Sequence, residues 1–382
     1  MQTLENYTLT AKTLAGLEPI LAKEIETIGG KNIKEGRRAV TFTGTKKHLY
    51  KANYYLRTAI RVLKEVDNFT FQSIDDFYQK CRNINWENIM EENQSFAVFS
   101  TVSNSKEFNN SMFASLKVKD AIVDTFRAKM GTRPTVDANN PDISINVRVS
   151  QHRCTISIDS SGESLHKRGY RVAQGDAPLS EVLAAGMILM TGWNGETDFI
   201  DPMCGSGTLP IEAALIATNT PPGKFRKEFA FEKWGDFDLD LLNSIIEEYT
   251  PKKFNKTIFA SDISPRNVGI ARSNARNAQV FNTIIFETMD IKDLNIKANG
   301  ATIIMNPPYG ERIQQKNLED LYSTIGERLK HKFPGNEAWI LSSSRELMKN
   351  IGLKPTLKSE LYNGALLCSF RKYELFSGKR AI

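Results

Sequence analysis

Asp198-Phe199-Ile200-Asp201-Pro202-Met203-Cys204-Gly205-Ser206-Gly207-Thr208-Leu209-Pro210-Ile211-Glu212 reads as a short strand, a glycine turn and the start of a helix. Gly205 and Gly207 remove side chains where the backbone must approach a ligand, and the helix beyond them presents free N–H groups. In a dinucleotide fold those groups would hold a pyrophosphate. Here Pro210 stands where the third glycine of that fingerprint would be, and Asp201 at the strand end suits a ligand with a positively charged amino group. An ordinary strand–turn–helix, with glycines only for close packing, would use the same residues.

Downstream, short apolar strands alternate with helical segments. The expected strands are Asp198–Asp201, Thr257–Ser261, Ile284–Thr288, Ala301–Met305 and Ala338–Ser342. Such alternation predicts a parallel, doubly wound α/β sheet. Asn363-Gly364 between two apolar runs predicts a closing antiparallel hairpin. Asp262 ends one strand, where a carboxylate can accept both hydroxyls of a ribose, and Asp290 follows the next, within reach of an adenine amino group. Solvated aspartates at strand ends are also common. Asp262 lies about 60 residues beyond Asp201, where a simple dinucleotide fold gives about 20, so residues 218–255 read as an insertion. Its Lys224–Trp234 stretch interleaves basic and aromatic residues; either RNA or packing onto the sheet would use them.

The segment Met305-Asn306-Pro307-Pro308-Tyr309-Gly310-Glu311-Arg312 follows the strand Ala301–Met305, at the carboxyl edge where open α/β sheets bind ligands. The two prolines fix the backbone and leave the Pro307 carbonyl without a competing local partner. An aromatic amine is a poor nucleophile because its lone pair is delocalised. The Asn306 amide oxygen and the Pro307 carbonyl can accept its two N–H bonds and face the positive charge that develops there. Asn306 is no base at neutral pH, so the proton leaves to water. Tyr309 would stack on an extruded base.

Residues 1–60 predict a small α/β unit: a strand at Tyr7–Ala11, a helix over Leu17–Ile28, a strand at Ala39–Thr43 and a helix over Lys46–Leu56. Residues 61–165 predict a second, with strands at Val62–Val66, Phe96–Val102, Ile143–Val149 and Cys154–Ile158. Its helix, Ser111–Met130, carries Met112, Leu116, Ala121 or Ile122, and Phe126 near helical spacing. A Gly/Ser/Pro-bearing linker follows, basic around Lys167, Arg168, Tyr170 and Arg171, which suits phosphate contact and stacking; a solvated linker would look the same.

Composition sets outer bounds. The 382 residues suit two or three domains, and 41% hydrophobic with 25% charged residues is a globular balance. No run approaches the roughly 18 apolar residues of a membrane span, and the start lacks a secretory pattern, so a cytoplasmic location and no membrane partner are expected. The four cysteines (Cys81, Cys154, Cys204, Cys368) are scattered, which predicts neither zinc nor disulfides. Residues 1–170 carry 24 Lys/Arg against 19 Asp/Glu, most of the net +6 charge and compatible with RNA.

The glycine turn with Asp201 resembles motif I of S-adenosylmethionine-dependent methyltransferases. Asn306-Pro307-Pro308-Tyr309 resembles motif IV of those acting on adenine N6, cytosine N4, guanine N2 and protein glutamine. Residues 61–165, with Leu116–Ile122 on their helix, resemble a THUMP domain, and residues 1–60 the ferredoxin-like unit that precedes one. With Leu165–Arg171 and the Ala177-Pro178-Leu179 segment, the likeness covers essentially the whole chain. It is similar to THUMP-containing guanine-N2 methyltransferases, closest to the bacterial 23S rRNA enzymes. That likeness implies a class I (Rossmann-like) methyltransferase domain over 166–382, preceded by an α+β ferredoxin-like unit (1–60) and a THUMP domain (61–165). It implies S-adenosylmethionine as cofactor, held by Leu179, Asp201, Met203, Cys204, Gly205, Gly207, Thr208, Ile263, Asp262, Met289, Asp290 and Asn306, and no metal. Asn306, Pro307 and Tyr309 would be catalytic, and the partner would be RNA: rRNA first, tRNA second. A DNA-adenine or protein-glutamine methyltransferase shares the motif but leaves residues 1–165 unexplained, and a non-catalytic assembly factor leaves the intact site unexplained. Some relatives carry a second methyltransferase domain; one activity is expected here.

Overall fold

Strands that alternate apolar and polar residues bury one face and wet the other, whereas strands apolar on both sides must lie between layers. The chain contains both kinds, and they form two different sheets. In the computed structural model, which describes residues 5–173, 179–309 and 315–376, the first half runs β1 (Tyr7–Lys12), α1 (Glu18–Thr27), β2 (Lys31–Gly36), β3 (Ala39–Gly44), α2 (Lys46–Tyr55), β4 (Arg61–Thr70), α3 (Ile74–Arg82), β5 (Phe96–Ser103), α4 (Ser111–Met130), β6 (Ile143–Ser150) and β7 (Arg153–Asp159). These strands make one seven-stranded sheet in the order β2-β3-β1-β4-β7-β6-β5. β1, β3 and β6 alternate buried and accessible residues along their length. The expected 60/61 division therefore falls within a continuous sheet, across which β1 pairs with β4. β6 and β7 pair antiparallel, while β5 and β6 run parallel with Phe99 opposite Asn146.

Two local features differ from expectation. The buried stripe of α4 is Ala114, Val118, Ala121, Ile122 and Phe126; Met112 is 69% exposed and Leu116 is also on the outside. Both side chains lie one or two positions off the buried stripe and are left to solvent. β2 has no apolar alternation, and its residues are nearly all exposed because it is the sheet's edge, held by pairing with β3.

The second half runs α5 (Glu181–Thr191), β8 (Phe199–Asp201), α6 (Thr208–Ala217), α7 (Leu239–Glu247), β9 (Ile258–Asp262), α8 (Pro265–Asn277), β10 (Ile284–Thr288), β11 (Thr302–Met305), α9 (Gln315–Lys332), β12 (Glu337–Ser342), β13 (Leu357–Asn363) and β14 (Leu366–Glu374). Its sheet has the order β10-β9-β8-β11-β12-β14-β13. β8, β9, β11 and β12 are buried almost throughout, as parallel strands covered on both faces must be. β14 pairs antiparallel with β12 and with β13, closing the sheet on the hairpin around Asn363-Gly364. From β8 the chain steps to β9 and β10 on one side, then returns to β11 and β12 on the other. The switch point therefore lies between β8 and β11, where such sheets open a ligand crevice at their carboxyl ends.

The insertion does not pack as expected. Phe229, Phe231, Trp234, Leu242 and Ile245 join the core of the first half, not that of the parallel sheet. Phe231 stacks on Tyr50 at 4.2 Å, and Tyr55 Oη donates to the Ile245 carbonyl at 2.8 Å. The insertion is thus a strap from the second half onto the first. Among the described residues no helix is long and apolar enough to cross a membrane.

Candidate active site

The parallel sheet places three side chains along its carboxyl edge, beside the switch point: Asp201 ends β8, Asp262 ends β9 and Asn306 follows β11. The turn after β8 is tied to β9 by two backbone donors. The Cys204 N–H reaches the Ser261 carbonyl at 2.8 Å, and the Gly205 N–H reaches Asp262 Oδ2 at 2.9 Å. Both glycines sit at positive φ, +53° for Gly205 and +86° for Gly207, where a Cβ is strained. Their uses differ. A Cβ on Gly205 would point into open space, as a ligand cradle requires, whereas one on Gly207 would meet Ala271 Cβ at 2.8 Å. Gly207 serves the approach of α6 to α8 and is not an open face for a ligand.

Asp201 is buried. Its Oδ1 accepts from the Met203 N–H at 3.1 Å, and its Oδ2 has no partner. Burial, with Asp262 adding to it, holds its pKa well above the usual carboxylate range. An orphaned buried acceptor beside a glycine cradle fits a ligand that brings a cationic donor. Asp262 Oδ1 accepts from the Ser264 N–H at 2.9 Å and Asn267 Nδ2 at 3.1 Å. The adjoining Ile263 is 67% exposed, an apolar surface of the kind a base edge covers. Met289 is half-buried, and its N–H donates to the Asp262 carbonyl at 3.0 Å. Asp290 caps the following turn, accepting from the Lys292 N–H at 3.0 Å with the Lys292 ammonium at 3.1 Å; these contacts lower its pKa. Both its oxygens already have partners, so an adenine amine would share them.

Asn306 Oδ1 is buried and unpartnered, and Pro307 is buried beside it. The Pro308 carbonyl lies 3.5 Å from Tyr322 Oη, which also contacts Ser342 Oγ at 2.9 Å. Tyr309 is half-buried against the second core, and its hydroxyl accepts from Asn363 Nδ2 at 2.8 Å. Asn363, which sequence reasoning assigned only to a turn, thus anchors Tyr309 from β13. Gly310, Glu311 and Arg312, and also Ala177 and Pro178, lie outside the described residues.

The linker contradicts its sequence reading at three of four positions. Arg168 and Tyr170 are each 1% exposed. Arg168 donates to the Leu165 carbonyl at 2.8 Å and to the Arg57 carbonyl, and lies 3.5 Å from Glu212; Tyr170 Oη donates to Glu212 at 3.0 Å. Neither can reach RNA, because both are enclosed beside Glu212 on α6, where Arg168 Nε itself is left without a partner. Arg171 is mostly covered as well. It reaches Glu181 at 2.8 Å, Ser206 Oγ at 3.2 Å, Thr208 Oγ1 at 3.0 Å and the carbonyl of the buried Leu179 at 3.1 Å. It therefore holds the glycine turn against α5. Asn274 on α8, missed in the sequence, assists: its Nδ2 donates to the carbonyls of Ser206 and Ala173, each at 3.0 Å. No local pattern marks it, since its partners lie about a hundred and about seventy residues away. Only Lys167 is exposed, paired with Glu163 at 2.6 Å. No cluster of three or more His, Cys, Asp or Glu that could hold a metal occurs among the described residues.

A family profile described as RMKL-like, methyltransferase domain, matches residues 168–372. The chain belongs to this methyltransferase family. A THUMP profile matches residues 71–159 and an RlmL ferredoxin-like profile residues 8–63. A candidate RNA methyltransferase of Synechocystis sp. is 37% identical over 96% of both chains. The Ribosomal RNA large subunit methyltransferase K/L of Vibrio campbellii is 37% identical over 96% of this chain but 53% of its own; the chain spans about half the length of that relative. Among solved structures, a candidate methyltransferase complexed with SAH superposes with a TM-score of 0.87 at 30% identity, covering 98% of this chain and 100% of the other. The methyltransferase domain is thus of class I, and its cofactor is S-adenosylmethionine.

The Asp201 environment gives a titration test. A carboxyl whose pKa is raised on folding binds more protons than the unfolded chain does, so its stabilising contribution is lost as pH rises through the raised value. A cationic ligand favours the ionised form. Cofactor affinity is therefore expected to fall as pH is lowered through the raised Asp201 range, and binding near neutrality to release a proton. Calorimetry in buffers of different ionisation enthalpy reads this. A buffer-independent enthalpy, or a pH dependence that persists in Asp201→Asn, would remove Asp201 from the binding role.

Proposed function

We propose that this protein transfers the methyl group of S-adenosylmethionine to the exocyclic N2 of a guanine in 23S rRNA, in the cytoplasm. The observation that carries the reading is the buried, unpartnered Asn306 Oδ1 at the switch point, across from the Asp201–Gly205 turn. Asp201, the Gly205 backbone, Asp262 and Ile263 would hold the cofactor, with Met203, Cys204, Thr208, Leu179, Met289 and Asp290 around it. When bound, it supplies an electrophilic methyl on a sulfonium.

The chain's own groups do the rest. Asn306 Oδ1 and the Pro307 carbonyl accept the two N–H bonds of the guanine amine, localising its lone pair and turning it to the methyl. As the N–C bond forms and the S–C bond breaks, positive charge moves from sulfur to nitrogen, where these two dipoles are already aimed. One of the two original amine protons then leaves to water, because an amide cannot take it. Tyr309, fixed by Asn363, lines the base pocket.

The nitrogen motif alone fits several substrates. The THUMP match and the ferredoxin-like unit favour RNA, and the K/L relatives favour the large ribosomal RNA. Incubation with tritiated cofactor and unmodified 23S rRNA, tRNA, DNA or protein tests this directly. Label is expected in 23S rRNA and, after digestion, in N2-methylguanosine. Label confined to DNA or protein would overturn the RNA reading. No transfer together with no cofactor binding at micromolar concentration would leave an assembly factor.

A further inference from the structure

One face of the first sheet packs into the core with α1, α2 and α4. Its other face carries Lys12 and Thr10 on β1, Arg61 on β4, Asn146 and Arg148 on β6 and Phe99 on β5, all on one side by the register that runs through β7. Lys12 Nζ reaches across to Asn146 Oδ1 at 3.2 Å, and Phe99 is the register partner of Asn146. Phe99 is 47% exposed, a large aromatic surface beside these polar and charged side chains. This face floors a cleft of about 970 Å³ whose opposite wall is the linker and the insertion.

The charge of the cleft is one-sided. Seven lining side chains are Lys or Arg and three are Asp or Glu. Two of the three acids are already matched, Asp159 by Arg61 and Glu163 by Lys167. Among the described residues Lys12, Arg38 and Lys227 in the cleft, and Arg148 on the same sheet face, make no ion pair. Burial, with Arg61 and Arg148 nearby, lowers the Lys12 pKa, so an anion here would relieve an unmet positive charge. None of these groups belongs to the cofactor site.

We propose that this sheet face binds an unpaired segment of the substrate RNA, with a base stacked on Phe99 and the adjoining phosphates on Lys12 and Arg148. The proposal rests on the RNA reading above and names the surface through which it operates. A stacking platform inside a cationic groove selects single strands, because a paired base offers no free face to an aromatic ring. Asn146 and Lys12 supply donors beside the ring for a base edge or phosphate. The insertion, strapped over the same cleft, carries Lys227 to the strand's other side.

The test uses the full chain and a labelled single-stranded RNA of about 16 nucleotides, with its duplex as control. Phe99→Ala is expected to weaken single-strand binding about 5- to 150-fold and Phe99→Tyr to restore it. Lys12→Gln with Arg148→Gln is expected to reduce the slope of log affinity against log salt by about 1.4. Both variants should raise KM for 23S rRNA while kcat, cofactor affinity and thermal melting stay as in the wild type. Unchanged RNA affinity and KM in both variants would overturn the proposal, as would equal losses for the duplex. If the wild type binds RNA through Phe99 yet methylates no RNA, the face stands and the functional reading fails instead.

Discussion

Asn306→Ala is expected to lower methyl transfer at saturating substrates about 10²- to 10³-fold while cofactor affinity changes little. The size follows from the loss of one preorganised dipole facing developing charge, which costs roughly 2.7–4 kcal/mol in comparable sites. In the wild type the Asn306 Oδ1 is already buried and without a partner, so its desolvation is met before substrate arrives. Its hydrogen bond to the amine is therefore worth more than one made in water. Tritium transfer and calorimetric cofactor binding, measured on the same preparation, separate the two effects. Equal losses in both would mean that Asn306 mainly shapes the pocket, and the amine-gripping role would be withdrawn.

A second variant discriminates between two readings of the linker. Arg168→Ala is expected to lower unfolding free energy by about 3–5 kcal/mol, the usual consequence of removing one partner of a buried ion pair. Arg168 and Glu212 are both fully enclosed, and Tyr170 also depends on Glu212. The same cluster reaches the first half of the chain, since Arg168 donates to the Arg57 carbonyl and Glu24 accepts from the Arg57 and Thr58 N–H groups. Loss of Arg168 therefore loosens the joint between the two sheets as well as the helix that follows the cofactor turn. The pH dependence has a defined sign. Burial already raises the Glu212 pKa, and without its arginine it rises further, so the deficit is largest at high pH. It shrinks as pH falls and Glu212 takes up a proton. Urea unfolding at two pH values reads both features. Unchanged stability with weakened RNA binding would restore Arg168 as an RNA contact.

The local signals were legible in the sequence because they are local. β8, its glycine turn and the Asn306-Pro307-Pro308-Tyr309 segment each depend on neighbours within a few residues, and buried parallel strands announce themselves as unbroken apolar runs. Asp201, Asp262 and Asn306 share the carboxyl edge of the sheet because each ends or directly follows its own strand, and strand order sets those strands side by side. The two glycines show the limit of such reading. Gly205 and Gly207 share a motif and a backbone region, yet only contact with Ala271 reveals that one is there for packing.

What the tertiary structure alone decided is the side on which ambiguous residues fall. A basic, glycine-bearing stretch such as Lys167–Arg171 looks solvated until Glu212, more than forty residues on, supplies the buried partner that makes enclosure affordable. The aromatics of the insertion could have covered either sheet; Tyr50, some 180 residues earlier, takes them. Composition and periodicity determine which side chains need burial or a partner. Which distant group meets that need depends on how the two sheets dock, because desolvation energies are set by three-dimensional surroundings and leave no trace in the neighbouring sequence.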